Sequence, residues 1–148
     1  TSSVVESGFV HLNGDNVLRG NVAELVESHR KRDADATLLV ERVSRERAKR
    51  GGVLSMSDGT PNAIVEKPRD PPSLLAVTGC FAFSPEIFET ISSIEPSERG
   101  EYELPDAIQR LIDEGGRVET VRLDGWRVNV NTEADVDRAE RQLSFERD

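Results

Sequence analysis

The apolar residues of this 148-residue chain fall in short clusters along its whole length, separated by turn-forming polar residues, so a folded chain of short elements is expected. Phe9 to Leu12 is an apolar run that stops at Asn13-Gly14-Asp15-Asn16, a dense turn signal, so it reads as a strand ending in a loop. Val22, Leu25, Val26 and His29 then recur at helical spacing, with Asn21 at the N-cap position and Glu24 placed as its capping-box partner. Ala36 to Val43 is rich in β-formers and too apolar at its start for a solvent-facing edge. The order strand, helix, strand predicts a parallel crossover.

The middle of the chain is expected to form a hairpin, Gly51 to Leu54 and Ala63 to Glu66, closed by a turn at Ser57 to Thr60. Lys67 to Ser73 is proline-rich and must be a loop. Leu74 to Phe83 reads as a longer buried strand, followed by a helix with Ser84 as cap and Pro85 at its first position. A helix over 104–112 ends at Gly115-Gly116, strands are expected over 118–123 and 126–130, and a helix from Thr132 onward carries Val136, Ala139 and Leu143 on one face. One domain over residues 1–148 is expected.

Charge excludes some classes of partner. There are 28 acidic and 19 basic residues, a formal net of -9, and only Lys31, Lys49 and Lys67 are lysines. A field of this sign repels nucleic acid except at a local basic patch. The stretch from Arg42 to Arg50 is such a patch, and its plainer reading is a solvated face. An acidic, lysine-poor composition also fits a halophilic protein working in high salt, where like charges are screened. Cys80 is the only cysteine, so no internal disulfide can form; it reads as a small buried hydrophobe. With no run of 18 apolar residues and no signal peptide, the cytoplasm is the expected setting and no membrane partner is expected. His11 and His29 lack companions at metal-ligand spacing, so zinc is not expected.

Chemistry-bearing residues gather at predicted strand ends. Ligands of open α/β sheets bind beyond the carboxyl ends of strands, and Asp15, the pair Glu66 and Lys67, and Asn129 all lie at or just past such ends. A carboxylate for a metal, a lysine for phosphate and a second carboxylate for hydroxyls would together hold a divalent ion and a phosphorylated sugar. Alone, Asp15 also reads as an ordinary Asx-turn residue.

The segments LNGDN (12–16), GGVL (51–54), VEKP (65–68), TGCFAFSPEIF (78–88), PSERGEYELPDAI (96–108) and GWRVNVNTEADV (125–136) resemble, in order and spacing, the C-terminal portion of the sugar-1-phosphate nucleotidyltransferases, chiefly the glucose-1-phosphate thymidylyltransferase and uridylyltransferase group. The resemblance implies a Rossmann-like three-layer α/β fold with a mixed sheet, represented by its sugar-binding half. It implies transfer of a nucleotidyl group from dTTP or UTP to a sugar 1-phosphate with Mg2+ as cofactor. Asp15 would bind the magnesium, and Glu66 and Lys67 would contact sugar hydroxyls and the sugar phosphate. Gly52, Thr78 and Gly79 would line the sugar pocket, Arg99 would stand near the phosphate and Glu103 near the sugar.

Trp126 matches a tryptophan that precedes a second metal-binding aspartate, where this chain has Asn129 instead. An amide oxygen can ligate magnesium but brings no charge. The family's glycine-rich triphosphate loop has no counterpart ahead of Phe9, and the chain opens with Thr, so a longer polypeptide is expected, and the isolated 148 residues, with a sheet edge exposed, are expected to be catalytically silent and either to associate as a homo-oligomer or to depend on high salt for folding. The other reading is a noncatalytic module of the same fold that binds a sugar phosphate or another subunit.

Overall fold

The computed structural model describes residues 7–98 and 100–145. Its centre is a nine-residue strand, β6 (Leu75–Phe83), buried almost throughout. The strands around it in chain order are β1 (Phe9–Leu12), β2 (Asn16–Arg19), β3 (Ala36–Arg42), β4 (Gly52–Ser57) and β5 (Thr60–Glu66), followed after it by β7 (Val118–Arg122) and β8 (Trp126–Asn129). The six-stranded sheet runs β5-β4-β6-β3-β7, and β1 pairs with the carboxyl half of β6. Only β3 and β7 pair in parallel; the other pairings are antiparallel, so the sheet is mixed. The helices are α1 (Val22–Lys31), α2 (Arg45–Ala48), α3 (Ile87–Ser93), α4 (Leu104–Asp113) and α5 (Glu133–Phe145).

Strand alternation divides the core in two. Leu38 and Val40 of β3 and Phe81 and Phe83 of β6 point to one face, where they pack with Ile87 of α3 and Ile108 and Leu111 of α4. Leu39, Cys80 and Ala82, the alternate residues, point to the other face and meet Leu25 of α1. The result is helix, sheet, helix: three layers. Both faces of β3 and β6 are covered, which is why these two strands read as nearly continuous apolar runs. Leu38 is fully buried, so its truncation to alanine is expected to cost about 2–5 kcal/mol.

Most expected elements lie where the sequence places them; β2 is a strand not expected from the sequence, Val136 and Leu143 of α5 stay exposed while Ala139 is buried, and four further details differ for identifiable reasons. The crossover from β1 through α1 to β3 exists, but β6 is inserted between the two parallel strands, since Phe9 and Ala36 both lie opposite Phe83. Ser84 does not cap α3: its hydroxyl donates to Ala34 O at 2.8 Å, and the helix starts at Ile87. Asn21 caps α1 without a side-chain bond to the helix backbone; its amide donates to Glu24 Oε2 (2.7 Å) and to Arg122 O (2.9 Å), tying α1 to β7. The basic stretch forms the one-turn helix α2, capped by Ser44, with Arg45 paired to Asp70, Arg47 to Glu41 and Lys49 to Glu46. Among the described residues no helix is long and apolar enough to cross a membrane.

His29 sits at 8% exposure under the start of the sheet. Ser84 directs its proton to Ala34 O, so its oxygen accepts from His29 Nε2 at 3.2 Å, which leaves His29 Nδ1 to accept from the Thr37 hydroxyl at 2.9 Å. Burial holds the ring below the ordinary 6.5, against the opposing pull of Asp35 and Asp33. A group whose folded pKa is depressed contributes stability that is fully present above its unfolded pKa and is lost as pH falls toward the folded one. The thermal midpoint should therefore fall as pH drops from about 7.5 to about 5.5, and fall by less in His29→Gln; equal falls in the two proteins would show that His29 is not the group responsible.

Candidate functional site

The site begins where β1 ends. Asn13 leaves the strand but stays tied to it, its N–H donating to Gly79 O at 2.9 Å, and Asn16 N–H closes the turn on Asn13 O at 3.2 Å. The chain then enters β2, which pairs with β8 in a separate two-stranded sheet that places Asn16 opposite Asn129. Val130 N–H donates to Asp15 O at 2.7 Å. Two residues that are more than a hundred positions apart, Asp15 and Asn129, thus stand side by side. With its amide nitrogen turned to the carboxylate, Asn129 donates to Asp15 Oδ2 and to Asp15 O, both at 3.2 Å, and accepts from Asn131 Nδ2 at 3.2 Å. Asn16 Nδ2 donates to the other carboxylate oxygen, Oδ1, at 3.2 Å.

The far end of this loop is anchored by the start of α5. Asp135 Oδ2 accepts from Asn131 N–H (3.1 Å), Thr132 N–H (3.1 Å) and the Thr132 hydroxyl (3.0 Å), while Asp135 N–H returns a bond to Thr132 Oγ1. The Asn131 N–H, followed by the Thr132 hydroxyl, holds the Asp135 carboxyl below its ordinary range. This reciprocal cap fixes the chain directly after Asn129.

A second group of expected residues lies further along the same edge of β6, toward its amino end. Gly52 pairs with Glu66 at the open end of the β4–β5 hairpin. A Cβ on Gly52 would come within 2.9 Å of Val77 Cγ2 and 3.2 Å of Glu66 Oε2, so only glycine lets the Glu66 carboxylate lie against the strand. Lys67 follows with φ of +45°, a conformation unusual for a side-chain-bearing residue, held by its N–H on Gly51 O at 2.9 Å. Strain of this kind is retained where the surroundings over-determine it, commonly at binding sites.

Residues 77–79 of β6 bridge the two groups: Val77 abuts Gly52, and Gly79 abuts the Asp15 loop. Gly79 has φ of +84°, and a Cβ there would lie 2.7 Å from Asn16 Nδ2 and 2.8 Å from Asn13 Nδ2. Between them Thr78 is buried, and its hydroxyl donates to Leu39 O at 2.8 Å, at the irregularity between Leu38 and Val40 where the β3–β6 register shifts. Its side chain is thus turned into the sheet; what it offers a ligand pocket is backbone. Glu103 stands at the start of α4. Trp126 is half-buried on β8, opposite Arg19. Arg99 lies outside the described residues.

Sequence reasoning passed over Asn13, Asn16, Glu41 and Arg127. Arg127 Nε and Nη2 both donate to Glu41 Oε1, at 2.8 and 2.6 Å, and its Nη1 donates to Asn16 Oδ1 at 2.9 Å. No local signal could have found a contact between residues 86 positions apart. Asn16 was legible only as a turn residue.

The fit of a divalent cation follows from the donor set. Among the described residues no cluster of three His, Cys, Asp or Glu could hold a metal ion. Asp15 and Asn129 offer one carboxylate and one amide, hard oxygen-bearing groups at mutual contact. These two groups could supply part of the shell of a hard divalent cation, the rest coming from water or from a ligand's oxygens.

Three comparisons bear on this arrangement. The nucleotidyl transferase family model matches residues 2–128. A UTP–glucose-1-phosphate uridylyltransferase, AglF, of Haloferax volcanii is 39% identical over 143 residues, which are 96% of this chain and 59% of that protein. A glucose-1-phosphate thymidylyltransferase of Streptomyces griseus is 40% identical over 122 residues, 82% of this chain and 34% of its own length. The chain therefore spans little more than half of the first relative and about a third of the second. The crystal structure of an apo UDP-glucose pyrophosphorylase superposes with a TM-score of 0.86 at 22% identity, covering 99% of this chain and 57% of the other, and shows the same fold.

The contact of Gly79 with the Asp15 loop can be tested by Gly79→Ala. The left-handed backbone alone should cost about 1–2 kcal/mol, and the added methyl should push Asn13 and Asn16 aside. Urea unfolding should show the loss, and hydrogen exchange at Asn13 N–H should quicken more than in the core strands. A variant as stable as the parent, with Asn13 equally protected, would mean that the loop does not rest on Gly79.

Proposed function

Because this chain belongs to the nucleotidyl transferase family, we propose that it supplies the sugar-phosphate side of an active site that transfers a nucleotidyl group from dTTP or UTP to a sugar 1-phosphate. The observation that carries this reading is the approach of the Asp15–Asn129 pair and the Gly52–Glu66–Lys67 group along one edge of β6, at the two ends of residues 77–79. The two relatives named above, acting on glucose 1-phosphate with different bases, support the substrate class.

In the proposed reaction an oxygen of the sugar phosphate attacks the α-phosphorus of the nucleotide, a new P–O bond forms, and the bond to the β-phosphate breaks to release pyrophosphate. Lys67 and Arg99 would face the sugar phosphate and offset its charge. Glu66 and Glu103 would accept hydrogen bonds from sugar hydroxyls, and Gly52, Thr78 and Gly79 would line the sugar pocket with backbone. Trp126 would wall the side of the pocket near β8. Asp15, joined by the amide oxygen of Asn129 once that group rotates, would hold magnesium. The ion, when bound, supplies positive charge that stabilises the phosphates as charge shifts between them. The acidic, lysine-poor composition supports a high-salt cytoplasm as the setting.

A noncatalytic sugar-phosphate-binding module is favoured only by the neutral Asn129 at a metal-binding position, and cation binding separates the two readings. Mn2+ titration followed by electron paramagnetic resonance should give saturable binding that Asp15→Asn weakens at least tenfold with no shift in thermal midpoint, and that Asn129→Asp strengthens. Unchanged binding in Asp15→Asn would remove the metal role. For the phosphate, Lys67→Ala should weaken glucose 1-phosphate by roughly 1.5–3 kcal/mol in calorimetry, the range for a hydrogen bond to a charged group; equal affinity would remove Lys67 from the site.

A further inference from the structure

Asn16 is held from both sides. Its Nδ2 donates to Asp15 Oδ1 at 3.2 Å, and its Oδ1 accepts from Arg127 Nη1 at 2.9 Å. An amide is asymmetric, so an arginine on its oxygen side dictates that its N–H faces the carboxylate. Without that arginine the amide is free to turn its oxygen to Asp15, where two acceptors would repel. The orientation matters for the metal-binding face, because Asn16 takes up Oδ1 and leaves Oδ2 on the side of Asn129.

Arg127 is in turn held by Glu41. The two side chains are 13% and 14% exposed, and Arg127 reaches Glu41 Oε1 through both Nε and Nη2. With Nη1 on Asn16, all three nitrogens of the guanidinium are engaged, so Arg127 is a positioning residue and does not present its fork to a substrate phosphate. Glu41 also neutralises a cation that would otherwise oppose a metal ion beside Asp15. Arg47 of α2 donates to the same Glu41 oxygen at 3.2 Å. Since α2 leads directly into Gly51 and Gly52, and Gly51 O receives the Lys67 N–H, one carboxylate ties the Asp15 loop to the segment that carries the expected sugar-phosphate contacts.

We infer that Glu41 and Arg127 form a positioning relay, Glu41 to Arg127 to Asn16 to Asp15, which orients the Asp15 carboxylate for a divalent cation and couples it through Arg47 to the Gly51–Gly52 segment. The inference rests on the reading of Asp15 as the metal-binding residue. Partners behind a metal ligand commonly alter affinity ten- to a hundredfold when removed.

The test separates orientation from stability. Replacing a poorly exposed ion pair by apolar residues of similar size is often neutral for stability, so Glu41→Leu with Arg127→Met should restore a thermal midpoint lowered by either single change. Mn2+ affinity should nevertheless remain at least tenfold below the parent, and Val130 N–H, bonded to Asp15 O, should exchange at least tenfold faster while the β3 amides keep their protection. Arg127→Lys serves if the double variant folds poorly: it retains a charge for Glu41 but lacks the planar group that reaches Asn16, and should show the same two losses. Recovery of Mn2+ affinity together with stability in the double variant, or Val130 exchange unchanged in either variant, overturns the relay. Should the parent bind no Mn2+, the metal reading fails on its own, and Val130 exchange still decides whether the pair holds the loop.

Discussion

A strand buried on both faces must have its backbone N–H and C=O groups paired along both edges, because no water is available to satisfy them. That requirement, imposed on β6, organises the molecule. One edge is covered by β3 along most of its length; the other is shared by β1 at the carboxyl end and β4 at the amino end. The junction between those two partners falls at residues 77–79. Two loops that arrive from different parts of the chain, one after β1 and one at the start of β4, consequently open beside the same short stretch of backbone. The candidate site is the gap in the pairing of β6, and the six-stranded sheet holds its rim in place.

Departures from regular geometry concentrate at that rim. The β3–β6 register shifts between Leu38 and Val40, and the Thr78 hydroxyl takes the Leu39 carbonyl there. Gly79 adopts a left-handed backbone immediately afterwards, and Lys67 does the same across the strand. Regular strand geometry would have sent successive side chains alternately into the two cores and left no concave surface.

The electrostatics of the site are similarly economical in charge. One carboxylate, Asp15, is surrounded by the amides of Asn16 and Asn129, which shape its hydrogen bonding without adding to or subtracting from its charge. The cation next in line, Arg127, is matched by Glu41. Asp15 thus keeps amide hydrogen bonds as its partners, and in the proposed reading it would be the anion that meets a metal ion.

Local chemistry made much of this legible from the residues alone. Apolar period and turn residues marked β1, β3, β6, α4 and β7 nearly to the residue, and the β4–β5 hairpin to within three residues, because those signals act over a few positions. The ordered segments from LNGDN to GWRVNVNTEADV pointed to the family that the comparisons bear out, and to Asp15, Gly52, Glu66, Lys67, Gly79 and Asn129, which the fold gathers along β6. Tertiary structure alone decided the rest. Whether Ser84 caps a helix or bonds Ala34, whether Thr78 faces a pocket or repairs a register shift, and that the four residues of β2 find β8 all depend on which distant segment is adjacent. The Glu41–Arg127 pair is the clearest case: each residue taken alone is an ordinary charge on a strand, and only the placement of β8 against β3 gives them each other as partners. Sequence period reports which face of an element is apolar, but a hydrogen bond or ion pair requires two groups within about 3 Å, and that distance is set by the whole fold.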